Sequence, residues 1–207
     1  MNQATIELVQ QSWRKVTPMA AQAAALFYDT LFTLDPELKL LFRGDMQQLD
    51  INDVVRKIVV LLRPLVDEYL TAHPGVPAPE IVLDLLPELP PTRGDAEQLR
   101  QVFLNLALNA VQAMAEQPHS PGSPVSGGRL TLSTGLRHGG RLGGPTQHLE
   151  IRIQDTGPGI DPSTMKSLFI PFFTTKQRGT GLGLPISQRI VENHGGFIEV
   201  RSRPSGG

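Results

Sequence analysis

Residues 154–184 read QDTGPGIDPSTMKSLFIPFFTTKQRGTGLGL, and the reading of this stretch decides how the rest of the chain is understood. Three features crowd into it. Asp155 leaves the end of an alternating, β-type run and enters a Gly-Pro-Gly turn through Gly157 and Gly159. A Phe-rich segment, Phe169 to Phe173, runs into Thr174, Thr175 and Lys176. A second glycine cluster, Gly179-Thr180-Gly181-Leu182-Gly183-Leu184, opens directly into a helical pattern. A carboxylate can accept from an exocyclic amine such as that of adenine. Glycine lets the backbone come close to a ligand. A glycine turn feeding a helix N-terminus offers N–H groups and the positive end of a dipole to phosphate. Lys176 and Arg178 add positive charge nearby. Taken singly, either cluster is equally well an ordinary surface turn. Together with an asparagine pair upstream, they point to nucleotide capture.

Working outward, Leu149, Ile151 and Ile153 alternate into Asp155, so the acid ends a half-buried strand. Arg129 to Thr134 alternates likewise, with Leu130, Leu132 and Thr134 on one face. Between them, 136–147 reads as a polar, Gly-rich loop, with His138 and His148 in or beside it and solvated. Further upstream, Asp95 starts the helix DAEQLRQVFLNLALNAVQAMAEQ, whose apolar face is Leu99, Val102, Phe103, Leu106, Ala110 and Met114. Asn105 and Asn109 stand four apart, hence on one face. Asparagine is a poor helix former. Amide oxygens are hard ligands that suit Mg²⁺; taken alone, the pair is more simply a polar edge or a helix-packing hydrogen bond.

Residues 50–70 keep the helical period through Ile51, Val54, Val55, Ile58, Leu61, Leu62, Leu65, Val66 and Tyr69, with Asp50 or Asn52 as cap. Residues 80–86 read as a strand. Leu86-Pro87-Glu88-Leu89-Pro90-Pro91 is neither helix nor central strand. Downstream of the glycine cluster, Pro185 to His194 is a helix ended by Gly195-Gly196, and Phe197 to Val200 begins another strand. The order strand, helix, strand, strand, helix, strand argues α+β, a mixed sheet with helices on one face.

The first 48 residues are different: a short all-α segment. Ile6, Val9, Trp13 and Val16 stripe a helix over 4–17, a second helix follows over 18–33, and Asp35-Pro36 starts a third. Net charge is −1, which gives no reason to expect nucleic-acid binding, and there is no cysteine for a disulfide or thiolate site. The N-terminus has no basic region followed by an apolar core, and apolar runs are too short to span a membrane. The expectation is a soluble, cytoplasmic chain.

Two resemblances follow. Residues 5–46 look like the opening helices of a bacterial globin or flavohaemoglobin, with Tyr28, Pro36 and Phe42 at matching positions. The next histidine, His73, lies in AHPGVPAP and offers no credible axial ligand, so haem is not expected. From 49 onward, QVFLNLALNAVQAM, DTGPGI, FIPFFTTK and GTGLGL resemble the N box, first glycine box, F box and second glycine box of the ATP-binding catalytic domain of sensor histidine kinases. That domain has the Bergerat or GHKL-type α/β sandwich shared with gyrase, the Hsp90 chaperone and the MutL repair protein.

The resemblance implies ATP and Mg²⁺. Asp155 would accept the adenine amine, Gly157, Gly159 and Ile160 would shape the pocket wall, and Asn109 with Asn105 would hold Mg²⁺ or phosphate oxygens. Phe172 and Phe173 would anchor the hinge of a lid. Thr174, Thr175, Lys176, Gly179, Thr180, Gly181, Leu182, Gly183 and Leu184 would meet the phosphate tail. It also implies a response regulator as partner and a phosphoacceptor histidine hairpin acting in trans, because none of His73, His119, His138, His148 and His194 lies in such a hairpin. Two departures stand out. Ile170 occupies the usual acidic position of the F box, and the domain's last strand is expected to be missing. The alternatives are a haem- or oxygen-binding globin-type sensor fragment, and a truncated nucleotide-binding module without kinase activity.

Overall fold

The computed structural model describes Leu26, Thr30 and Thr33 together with residues 45–72, 75–115, 127–138, 147–176 and 179–202. Most of the globin-like stretch, Tyr28, Pro36 and Phe42 included, lies outside the described residues, as do His73, His119 and Arg178. The elements are β1 (Gln47–Leu49), α1 (Ile51–Ala72), β2 (Glu80–Leu85), β3 (Thr92–Gly94), α2 (Ala96–Ala115), β4 (Arg129–His138), β5 (Gln147–Asp155), α3 (Pro162–Met165) and α4 (Gly183–Asn193). They fall into two compact units, one spanning Met46–Gly159 and the other taking in Ile160–Ser202.

The 46–159 unit carries the sheet. β2 pairs parallel with β4, and β4 antiparallel with β5, in the order β2-β4-β5, which sets Leu132 opposite both Leu83 and Ile153. Alternate residues of β4, Leu130, Leu132 and Thr134, are buried, so one sheet face is covered. α2 packs on α1, β4 and β5. The core is the stripe Ile51, Val54, Val55, Ile58, Leu62 and Val66 of α1 against Leu99, Val102, Phe103, Ala107, Ala110, Val111 and Met114 of α2. Each large side chain among them contributes about 1.5–3 kcal/mol by leaving water.

A small antiparallel ribbon, β1 with β3, sits at the start of both long helices. It pairs Gln47 with Gly94 and Leu49 with Thr92. Asp50, just after β1, caps α1 by accepting the Asn52 N–H at 2.8 Å. Asp95, just after β3, caps α2 by accepting the N–H groups of Glu97 at 2.8 Å and Gln98 at 2.9 Å. Asn52 is therefore not the cap. Its buried amide instead donates to Leu86 O at 2.8 Å and accepts from the Thr134 hydroxyl at 2.8 Å, while Thr134 Oγ1 accepts the Leu86 N–H at 3.1 Å. The closed triangle ties the start of α1 to the end of β2 and to β4, and it leaves neither atom of the Asn52 amide unpaired.

Four sequence expectations need correction. Leu61 and Leu65 are 44% and 37% exposed, because α1 is apolar over more of its circumference than the core covers. In α2, Ala107 takes the buried place expected for Leu106, one turn on from Phe103. His138 and His148 stand within paired strands, since the β4–β5 ladder runs on to His138 opposite Gln147. His148 is half-buried, its Nε2 enclosed without a hydrogen-bond partner among the described residues. Finally, Phe197–Val200 forms no strand among the described residues, and Phe197 is 44% exposed. Alternation of side chains does not make a strand where no neighbouring ladder takes up the backbone groups.

Candidate functional site

In the 46–159 unit, the end of β5 delivers Asp155 opposite Leu130 of β4. The Asp155 side chain is exposed, yet its direction is fixed, because Oδ1 accepts the Gly157 N–H at 2.8 Å. The next residue is fixed too. Thr156 Oγ1 accepts the Arg129 N–H at 2.9 Å and lies 3.6 Å from Met114 Sδ. A methyl group at Gly157 would stand 2.8 Å from Asp155 Oδ1 and 3.5 Å from the backbone of Ala113 and Met114. The turn thus lies directly against the last turn of α2, and a side chain at Gly157 would push on the Asp155 carboxylate that the turn holds. Asn109 is one helical turn before Ala113, Asn105 one turn earlier, and both are half-buried. Gly159 adopts φ +81° as the chain leaves the turn.

The chemistry of this half follows from the lone pairs. One carboxylate oxygen of Asp155 is committed to the backbone. The other can accept from a donor arriving from solution, and the carboxylate need not reorient to do so.

The 160–202 unit holds the Phe-rich and second glycine segments. Its entry is Asp161, which caps α3 with Pro162 in the first turn. Oδ1 accepts from the Ser163 hydroxyl at 2.5 Å, the Ser163 N–H at 2.8 Å and the Thr164 N–H at 3.1 Å. Hydrogen bonds from the Ser163 hydroxyl, then from Thr164, hold this carboxyl far below the usual carboxylate range.

Further on, two left-handed residues interlock. Phe172 has φ +64° and Gly181 φ +68°. The Phe172 N–H donates to Gly181 O at 2.9 Å. A methyl group on Gly181 would lie 2.6 Å from Phe173 O and 2.7 Å from Phe172 Cα, so the two backbones touch. An aromatic residue in this conformation is costly, about 1–3 kcal/mol. Ile170, at the position where the resembled family carries an acid, is buried at 8% exposure, so an apolar residue suits it.

Described residues between the two ends of this contact also bond to one another. Lys176 N–H donates to Thr174 Oγ1 at 3.1 Å, and Gly179 N–H to Lys176 O at 3.2 Å. Leu182 N–H reaches Thr180 Oγ1 at 3.4 Å. α4 then starts without a side-chain cap, and its first backbone bond runs from Ile186 N to Leu182 O at 3.0 Å. Pro185 has no N–H. The donors at this helix start are therefore Gly183 and Leu184, aligned with the positive end of the helix dipole.

The structure thus groups Asn105, Asn109, Asp155, Gly157 and Gly159 in one unit and Ile160, Phe172, Thr174, Thr175, Lys176, Gly179, Thr180, Gly181, Leu182, Gly183 and Leu184 in the other. Thr175 and Thr180 are exposed and the remainder of the second group half-buried. Two residues escaped sequence reasoning. Thr156 was legible only as a hydroxyl inside DTG. Ser202, whose Oγ accepts the Ile160 N–H at 2.7 Å, stands outside the four boxes and drew no role from its sequence position.

Among the described residues no helix is long and apolar enough to cross a membrane. Residues 94–207 match the family model described as histidine kinase-, DNA gyrase B-, and HSP90-like ATPase. The chain is 45% identical over 124 residues to the sensory histidine kinase/phosphatase NtrB of Azospirillum brasilense, covering 57% of this chain and 29% of that protein. It is 38% identical over 162 residues to the signal transduction histidine-protein kinase AtoS of Escherichia coli K12, covering 78% of this chain and 22% of that protein. It therefore spans less than a third of the length of these relatives. Among solved structures, the mycobacterial sensor histidine kinase MprB superposes with a TM-score of 0.52 at 25% identity, over 72% of this chain and 80% of that one.

Proposed function

Because the chain belongs to the histidine kinase-, DNA gyrase B- and HSP90-like ATPase family, we propose that it binds ATP with Mg²⁺ and presents the terminal phosphate for transfer to a histidine in two-component signalling. The observation that carries this reading is the fixed carboxylate of Asp155, one oxygen bonded to Gly157 N–H at 2.8 Å and the turn seated on the asparagine-bearing helix. Its second oxygen would accept the exocyclic amine of adenine, with Gly157, Gly159 and Ile160 as backbone wall. The N–H groups of Gly183 and Leu184 and the ammonium of Lys176 would take the phosphates, with Thr174, Thr175, Gly179, Thr180, Gly181 and Leu182 shaping the loop that presents them. Phe172 would hold that loop through its contact with Gly181.

The donor set suits a magnesium ion that arrives with the nucleotide. Asn105 and Asn109 offer hard but uncharged oxygens, and among the described residues no group of three or more His, Asp or Glu could hold a metal by itself. The phosphates must then supply the balancing charge. When bound, the ion would neutralise the triphosphate. Asn105 also bears on the reaction type. An amide cannot act as a general base toward water, which supports presentation of the phosphate over its hydrolysis.

The acceptor histidine and the response regulator that would take the phosphoryl group from it are partners in this proposal, in line with the relatives' names. The globin-like reading of 5–46 gains nothing from the family match, which begins at residue 94.

Calorimetry with ATP·Mg²⁺ tests the binding step, and micromolar affinity, about −8 kcal/mol, is expected. Incubation with terminally labelled ATP, with and without a separately supplied acceptor hairpin, tests the transfer step. Label on the hairpin supports a kinase. Binding without label leaves a nucleotide-binding module, and a folded chain with no nucleotide uptake sinks the reading.

A further inference from the structure

We propose that Ser202, outside every motif, is a positioning residue for the purine end of the nucleotide site, and that it acts by holding the exit of the DTGPGI turn. The proposal rests on the nucleotide-binding reading above. The turn's backbone donors show why an outside partner is needed. Gly157 N–H is taken by Asp155 Oδ1 at 2.8 Å, and Pro158 has none. Gly159, at φ +81°, is the joint about which the exit can swing, since glycine resists rotation least. The next donor, Ile160 N–H, is taken by Ser202 Oγ at 2.7 Å, from 42 residues further along the chain.

That bond fixes more than one atom. The peptide joining Gly159 to Ile160 is planar, so anchoring the Ile160 N–H sets the plane that closes the turn. One residue on, Asp161 is committed to capping α3. The entry of the turn is held by Asp155 and Thr156, through the bonds to Gly157 and Arg129. Among the described residues, the exit is held by the hydroxyl of Ser202. Both Ile160 and Ser202 are half-buried, so water replaces that hydroxyl poorly. A turn preset in this way orders less on binding, which raises affinity without any contact between Ser202 and the ligand.

The test uses the full chain as wild type, Ser202→Ala and Ser202→Thr, each titrated with ATP·Mg²⁺ and each followed by amide hydrogen exchange without nucleotide. Ser202→Ala is expected to weaken binding about tenfold while the far-ultraviolet signal of the helices is kept. Ser202→Thr keeps the oxygen and should restore affinity. The Ile160 amide should be protected in wild type and in Ser202→Thr and exposed in Ser202→Ala. Equal affinity of Ser202→Ala and wild type overturns the proposal. So does an Ile160 amide that exchanges like open backbone in wild type, a measurement that needs no variant to fold. A wild-type chain that takes up no nucleotide while Ile160 stays protected removes the premise instead, which separates failure of the nucleotide reading from failure of the anchor.

Discussion

The unit spanning 46–159 and the unit containing 160–202 are held by different means. The first is a core of apolar side chains between two long helices and a mixed sheet, with Val55, Ile58, Leu62, Ala107, Leu130 and Leu132 at 0% exposure. The second, among the described residues, has only a few buried apolar side chains, Ile170, Pro171, Pro185 and Ile190, and adds many backbone contacts to them: the Phe172–Gly181 interlock, the Asp161 cap, the Thr174 and Thr180 hydroxyls and the Ser202 anchor. Burial is proportional to area and tolerates small shifts. Close backbone approach tolerates almost none. The contrast teaches where damage should be read: as lost stability in one unit and as lost ligand geometry in the other.

The most severe test of the first half of this contrast is Leu62→Ala, which empties a fully buried site facing the core. A loss of about 2–5 kcal/mol in urea unfolding is expected, and a loss below about 1 kcal/mol would show that the helical core is not what holds this unit. Gly181→Ala addresses the other half. The added methyl meets the backbone of Phe172 and Phe173, and φ +68° is costly for alanine. Nucleotide affinity should fall at least about a hundredfold, on the order of 2.7 kcal/mol, while the far-ultraviolet signal of α1 and α2 persists. Loss of both together would erase the distinction between the units.

Asp155→Asn should have a smaller and cleaner effect. The amide oxygen can still accept the Gly157 N–H, but the second oxygen becomes an N–H₂ group, a donor facing a donor. Affinity should drop about tenfold, on the order of 1.4 kcal/mol, with stability kept. Calorimetry on both proteins checks it, and equal affinities would remove Asp155 from the site. The smallest effect concerns pH. The Asp161 carboxyl is depressed in the folded chain, so the stability its cap contributes is complete above the ordinary Asp range, near pH 4, and is lost only as pH falls toward the depressed value. Carboxyl NMR should show Asp161 still ionised after exposed carboxylates have titrated. Asp161→Asn should keep the cap and remove that low-pH dependence.

The same contrast governs what could be read from the amino acids. The helices over 51–72 and 96–115 and the strands entering Asp155 were legible because burial imposes a period on side chains. Asp155 ends β5, and the turn at Gly157 meets the last turn of α2 at Ala113 and Met114, one turn on from Asn109. The β1–β3 ribbon was not legible, since three-residue strands of mixed polarity have no period to show. Nor were the positive φ of Phe172 and the Ser202 anchor. These are backbone bonds between distant segments, and the side chain records neither the φ angle nor the partner. Phe197–Val200 failed in the opposite direction: the pattern was present, but no ladder among the described residues matches it.

The ribbon has a practical side for anyone trimming this protein. Gln47–Leu49 closes against Thr92–Gly94, and the residues that begin α1 and α2 come immediately after its two strands. An expression boundary cut just ahead of Ile51 would look harmless on a helix map. It would strip the clasp from both helix starts at once, so a shortened version should begin upstream of Gln47.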